Sequence, residues 1–196
     1  MNISSSPTYY EVISEMAMDG NPNASLQAVL SSIVENVKTA MRVKGCSLAL
    51  LTPDRKYLRH MASCGLSESY ITKGRINADK SIAETPKGEF VAILDVAQDD
   101  RVQYPAEAKS EGIVSIFAVP LYLEEECMGV IRIYTANRRR FTADDIYFAH
   151  TAANIGAKAI ESAVLVTDDP TVANYDNFRQ QLVELEWARW PGAHCP

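Results

Sequence analysis

The chain has 196 residues, of which 47% are hydrophobic and 22% charged, with a net charge of −6. That profile suits one folded domain with an extension and excludes a disordered or membrane-embedded chain. The negative balance also argues against a nucleic-acid surface, because phosphate binding needs clustered Lys and Arg, and the single basic run, Arg138-Arg139-Arg140, reads as a solvated loop.

No apolar run approaches bilayer length, and Met1 to Pro7 lack the basic leader and apolar core of a secretory signal. Cys46, Cys64, Cys127 and Cys195 fall at irregular intervals, which fits neither a zinc pattern nor a disulfide framework. A cytoplasmic location is therefore expected, with no membrane and no nucleic-acid partner.

In chain order, Ser6-Pro7 resembles an N-cap followed by proline at the first helical position, and Tyr10, Ile13 and Met16 recur on one face of a short helix ending near Asp19-Gly20. After Asn21-Pro22-Asn23, the residues Leu26, Val29, Leu30, Ile33, Val34, Val37 and Met41 form a helical stripe wide enough to face a core. Gly45 ends that pattern. Ser47 to Leu51 and Tyr57 to Ser63 then read as a hairpin turning at Thr52-Pro53-Asp54-Arg55-Lys56.

From Gly65 to Gly88 the periodicity breaks down, with at most one helical turn around Glu68 to Lys73, as expected of a long cover over something. Phe90 to Leu94 is the next strand, and Pro105 to Glu111 a short helix closed by Gly112 in the left-handed conformation. Val114 to Leu123 and Met128 to Tyr134 form an antiparallel strand pair around the acidic turn Glu124-Glu125-Glu126. Thr142 with Asp145 is a capping signal for a long helix carrying Ile146, Ala149, Ala153, Ala157, Ile160 and Val164 on one face.

Beyond Thr167-Asp168-Asp169-Pro170, a last helix carries Tyr175, Phe178, Leu182 and Leu185, stopped by Pro191-Gly192. The order of elements indicates an α+β domain whose central antiparallel sheet, of five or six strands, has helices packed on one face. The chain divides into an N-terminal helical extension (1–22), a domain (23–166) and a C-terminal helical tail (167–196).

Several of these pieces, in this order and spacing, resemble the GAF domain family over about Leu26 to Val164. They are Ile93-Leu94-Asp95 with Asp99-Asp100-Arg101, Gly112 to Leu121, Gly129-Val130-Ile131, Ala136-Asn137 and Phe141 to Asp145. The resemblance implies helices on one sheet face and, on the other, a small-molecule pocket roofed by irregular segments from Gly65 to Gly112. Family members bind cyclic nucleotides, bilins, haem, amino acids or small anions, so membership fixes fold better than ligand. No cofactor is identified.

The cyclic-nucleotide set N-K…F-x-x-x-D-E is not found in order. Where bilin members carry a cysteine, the chain has Gln103-Tyr104-Pro105-Ala106. His60, His150 and His194 fall on a strand, the long helix and the tail, outside the expected roof, which disfavours haem. The enzymatic branch, free methionine sulfoxide reductase, needs a nucleophilic and a resolving thiol, yet the corresponding stretches, Lys80-Ser81-Ile82-Ala83 and Gln103 to Ala106, hold no cysteine.

The expected ligand contacts are Lys80, Ser81, Tyr104 and Ser115 in the roof or on the strand beneath it, Asp95 and Arg101 at its mouth, and Phe117. The Asp95, Asp99 and Arg101 spacing equally suits a loop that satisfies its own backbone, and the alternating apolar residues of 116–121 are explained by core packing alone. Cys46 and Cys64 should lie nearly opposite each other across the hairpin, as two small buried residues or as a redox pair.

The expected function is a non-enzymatic small-molecule-sensing or regulatory module, with output through helix-mediated homodimerisation and a separate signalling protein. A thiol-dependent sulfoxide reductase and a scaffold with a vestigial pocket stand as the alternatives. The Tyr175 to Leu185 seam, with Trp187 and Trp190 after it, is the expected dimer contribution of the tail.

Overall fold

The computed structural model describes residues 8–18, 25–79, 90–123 and 125–165, with side chains of the last helix through 162. Thr8 opens the first helix: its backbone N–H and hydroxyl donate to the Glu11 carboxylate at 2.7 and 2.9 Å, and the Glu11 N–H donates back to the Thr8 hydroxyl at 3.3 Å. This reciprocal cap starts helix α1 at Tyr9, running to Met18; Ser6 and Pro7 lie outside the described residues.

The buried face of α1 is Val12 and Met16 with Tyr9 and Ile13 beside them, while Tyr10 is 78% exposed. Of the expected stripe, Ile13 and Met16 face the core as read, while Tyr9 stands in the place of Tyr10. The cause is the Tyr9 ring, which stacks on Phe148 at 4.3 Å and takes the inward position.

Helix α2 (Leu26–Met41) is capped by the Ser25 hydroxyl, which accepts from the Ala28 N–H, and ends where Arg42 turns left-handed at φ 51°. Its stripe is as expected, with Leu30, Ile33, Val34, Val37 and Met41 buried. Strands β1 (Gly45–Leu51) and β2 (Tyr57–Cys64) form the hairpin, followed by the single turn α3 (Glu68–Ile71) and the short strand β3 (Ile76–Asn77). Then come β4 (Val91–Ile93), α4 (Pro105–Ser110), β5 (Ser115–Leu123), β6 (Glu126–Thr135) and α5 (Ala143–Leu165). Gly112, just beyond α4, has φ 74°, the left-handed conformation expected of it.

The strands make one six-stranded sheet in the order β3-β2-β1-β6-β5-β4, antiparallel throughout. Because successive side chains in a strand face opposite sides, each strand contributes to two cores. Leu48, Leu50, Phe117, Val119, Ile131 and Ile133 meet α1, α2 and α5 on the helix side. The small residues Ala149, Ala152, Ala153 and Ala157 let α5 approach the sheet closely.

On the other side, Ala49, Leu51, Ile116, Ala118, Val130 and Tyr134 pack beneath a cover that includes Tyr70, Ile76, Ala78, Val96, Ala108 and Ile113. The architecture is therefore α+β, with helices on one sheet face and short irregular segments on the other. The tail helix with Tyr175, Phe178, Leu182 and Leu185 falls outside the described residues.

Candidate functional site

The two faces differ in chemistry. Buried Asp145 in the helical layer is fully engaged by hydrogen bonds, whereas the cover side holds buried His60 and Arg132, which carry polar atoms without partners. In β6, Ile131 and Ile133 point to the helices, so strand alternation sends Arg132 between them to the cover side, opposite Ser47 of β1 and Ala118 of β5. Arg132 is only 9% exposed, and its Nε has no hydrogen-bond partner.

On β2, His60 lies opposite Ala49, a cover-side residue, and is 7% exposed with both ring nitrogens unpartnered. Lys73, following α3, donates to the Tyr70 carbonyl at 2.7 Å and holds its ammonium 3.7 Å from the Tyr70 ring centre. The Tyr70 ring meets Tyr134 edge-on at 5.8 Å, and the Arg132 guanidinium lies 5.7 Å from the Tyr134 ring. The Tyr134 hydroxyl is tied to Ser47 at 3.2 Å.

These groups feel one another. Burial, reinforced by the charges of Lys73 and Arg132, holds His60 down to about 3, so the folded protein keeps a neutral imidazole near neutral pH. Burial and then Arg132 bring the Lys73 ammonium down to about 7, opposed by the carboxylates of Glu107 and Glu111. Glu111 is itself engaged at the rim by Lys44 at 3.1 Å and by the Ser67 N–H at 3.0 Å.

Among the residues expected at a ligand, Lys80 and Ser81 lie outside the described residues. Tyr104 stands at the cover, donating its hydroxyl to the Arg75 carbonyl at 2.8 Å, with its ring 5.8 Å from the Lys73 ammonium. The neighbouring Gln103 side chain clamps the same segment, bonding the Arg75 carbonyl and the Asn77 N–H.

Asp95 accepts from the Ala97 N–H at 2.9 Å and pairs with Arg138, while Arg101 is engaged by Asp99 at 2.6 and 2.8 Å. Arg101 therefore serves its own loop, and Asp95 its own turn and the loop of Arg138. Ser115 donates to the Leu94 carbonyl at 2.7 Å and accepts from the Arg139 N–H at 3.1 Å, stitching the strand ends. Phe117 sits in the helix-side core, stacked on Phe141 at 4.4 Å, so Ile116 and Ala118 are the β5 residues that face the cover.

The structure thus brings Tyr104 to the polar cluster and leaves Asp95, Arg101, Ser115 and Phe117 in structural roles. The cluster's own members, His60, Lys73 and Arg132, were not foreseen as a site. The available signal was Arg132 between Ile131 and Ile133: a charge inside a strand whose flanking residues are all apolar.

Cys46 and Cys64 are direct partners across the β1–β2 ladder, in the register the hairpin requires. Both contact the helix-side core and both are free thiols, remote in face from the polar cluster. Burial, with Cys64 adjacent, pushes the Cys46 thiol up, and burial does the same for Cys127. Neither environment favours the thiolate that sulfur nucleophiles require. Among the described residues, no group of His, Cys, Asp and Glu could hold a metal ion, and no helix is long and apolar enough to cross a membrane.

A sheet with helices on one face and a covered polar cluster on the other defines a small α+β domain. The GAF domain family model matches residues 25–162, and the chain belongs to that family. It is similar in structure to the GAF domain of a phosphoenolpyruvate-protein phosphotransferase from Coxiella burnetii, with a TM-score of 0.70 and 19% identity, covering 82% of this chain and 96% of that one.

Free methionine-R-sulfoxide reductase from Neisseria meningitidis, solved with its substrate, gives 0.67 at 20% identity over 81% and 92% of the two chains. The phycocyanobilin-bound GAF domain of a cyanobacterial phytochrome gives 0.66 at 14%, over 84% and 100%. A comparison with curated proteins gave no match. At these identities the likenesses carry fold alone.

Proposed function

We propose that the chain is a non-enzymatic, small-molecule-sensing GAF module of the cytoplasm, whose output passes through dimerisation and contact with a separate signalling protein. The observation that carries this reading is the pair of buried residues with unpartnered polar atoms, His60 and Arg132, beside half-buried Lys73. A face needed only for packing would hold apolar groups, since burying an unpartnered polar atom costs about 1 to 3 kcal/mol, so these residues are best explained by a molecule that completes them.

The similarity to solved GAF domains with a bound chromophore or substrate supports a ligand in this fold. The thiols support the non-enzymatic side: Cys46 and Cys64 face the helices, and burial disfavours ionisation of Cys46 and Cys127. For the output, α1, α2 and α5 form a continuous helical layer, with Tyr10 and Tyr147 exposed to 78% and 71%.

Two measurements on the full chain test this reading. Free methionine sulfoxide with a thioredoxin-type reductant should give no turnover, and sedimentation at micromolar concentration should give a dimer. Turnover abolished by Cys64→Ala or Cys127→Ala would make the protein a reductase. A full-length monomer would remove dimerisation from the output, and an intact dimer after truncation beyond Val166 would assign it to the domain's own helices.

A further inference from the structure

The sign of the charge in the cluster says more than that a ligand binds. Lys73 and Arg132 are cations and His60 can become one; Arg132 opposes the charging of Lys73, and both oppose that of His60. The described carboxylates that act on Lys73, Glu107 and Glu111, come from the α4 side, and Glu111 is spent on Lys44 and Ser67. Among the described residues, the cross-strand partners of Arg132 are Ser47 and Ala118, neither of them acidic.

We infer that His60, Lys73 and Arg132 form the receptor for the anionic head group, a carboxylate or a phosphate, of a small molecule. This deepens the sensing reading above and rests on it. Arg132 supplies the planar guanidinium suited to two parallel hydrogen bonds with such a group. His60 offers ring nitrogens with no competing partner, and Lys73 a point charge at the cover.

A metal cation is disfavoured by the same charges. A neutral ligand would leave the repulsion between Lys73 and Arg132 uncompensated. An anion relieves it, and in doing so favours the protonated forms of Lys73 and His60. Since Lys73 is held near 7 by burial and Arg132, against the pull of Glu107 and Glu111, anion binding takes up protons near neutral pH and weakens as pH rises from 6 to 8.

The test is thermal unfolding of the full chain with benzoate, phenyl phosphate and neutral benzamide, at pH 6 and pH 8. At least one anion should raise Tm in a saturable way, more at pH 6 than at pH 8, while benzamide does not. Response to phenyl phosphate alone assigns a phosphate head, and to benzoate alone a carboxylate.

Arg132→Met should raise Tm without ligand, because it removes an unneutralised buried charge, and should weaken the anion response at least tenfold. Lys73→Met should reduce both the response and its pH dependence. Equal stabilisation by benzamide would overturn the charge argument and leave ligand sensing standing. No response to either anion, or a response unchanged in Arg132→Met, would overturn the anion receptor itself.

Discussion

Gly129→Ala is expected to abolish the native fold or to destabilise it by at least about 3 kcal/mol, at the severe end of overpacking substitutions. Gly129 pairs with Leu50 of β1 and Leu121 of β5, at the centre of the sheet. A Cβ there would stand 2.2 Å from the Ala49 carbonyl oxygen and 3.0 Å from the Leu50 Cα. Both are backbone atoms of the neighbouring strand, so no rotamer change relieves the clash, and moving β1 away breaks the ladder that joins the two halves of the sheet. Urea unfolding followed by circular dichroism checks this, with a cooperative transition at the wild-type midpoint as the contrary result.

Asp145→Ala should cost about 3 kcal/mol, the scale for removing one partner of a largely buried ion pair. The Asp145 side chain is 5% exposed and accepts from the Tyr9 hydroxyl at 2.6 Å, Arg139 at 2.7 Å and the Thr142 N–H at 2.9 Å. One carboxylate therefore fastens α1, the loop before α5 and the first turn of α5. Its loss strands the Arg139 guanidinium, whose remaining hydrogen bond is to the Met41 carbonyl, and removes the reciprocal half of the α5 capping box.

Burial alone would raise the Asp145 carboxyl, but the hydrogen bonds from Tyr9 and Thr142 and the charge of Arg139 outweigh it and hold it below its ordinary value of 3.8. The sign follows directly: the folded state binds this proton less readily than the unfolded chain. Its contribution is complete above that value and is lost as pH falls through the lower, folded one. Asp145→Asn should accordingly flatten the acid limb of stability measured by urea titration below pH 4.5. Tyr9→Phe should cost about 1 kcal/mol, the net worth of one hydrogen bond, and leave the sheet intact.

The fold could be read from the sequence because its main elements carry local signals. The α2 stripe from Leu26 to Met41, the Thr142–Asp145 cap and the left-handed Gly112 each depend on residues within a turn or two of one another. The Cys46–Cys64 register followed from the hairpin alone. The two-residue strand β3 is too short to show a period, and Tyr9 and Tyr10 begin equally plausible helical stripes until Phe148, distant in sequence, selects Tyr9.

The site was less legible for a physical reason. Strand β5 is apolar on both faces, so nothing local says that Phe117 meets the helices and Ala118 the cover. Likewise Ile131-Arg132-Ile133 looks like an ordinary half-exposed strand. Arg132 is buried on the face that the cover with Tyr70 and Ala108 folds over, and that is a tertiary event. His60 was placed on its strand correctly, but its facing depends on the irregularity between Leu48 and Ala49. Asp95 and Arg101 stood out by spacing, and that spacing is accounted for by a self-satisfied loop.

The central claim is that the covered face of the sheet holds a small molecule, and native mass spectrometry of the full chain, isolated from the cells that make it, tests this most directly. The account predicts that part of the protein carries one noncovalent small molecule per chain, released on denaturation and missing from Arg132→Met. A bare chain in both proteins, or an adduct equally abundant in the variant, would contradict it.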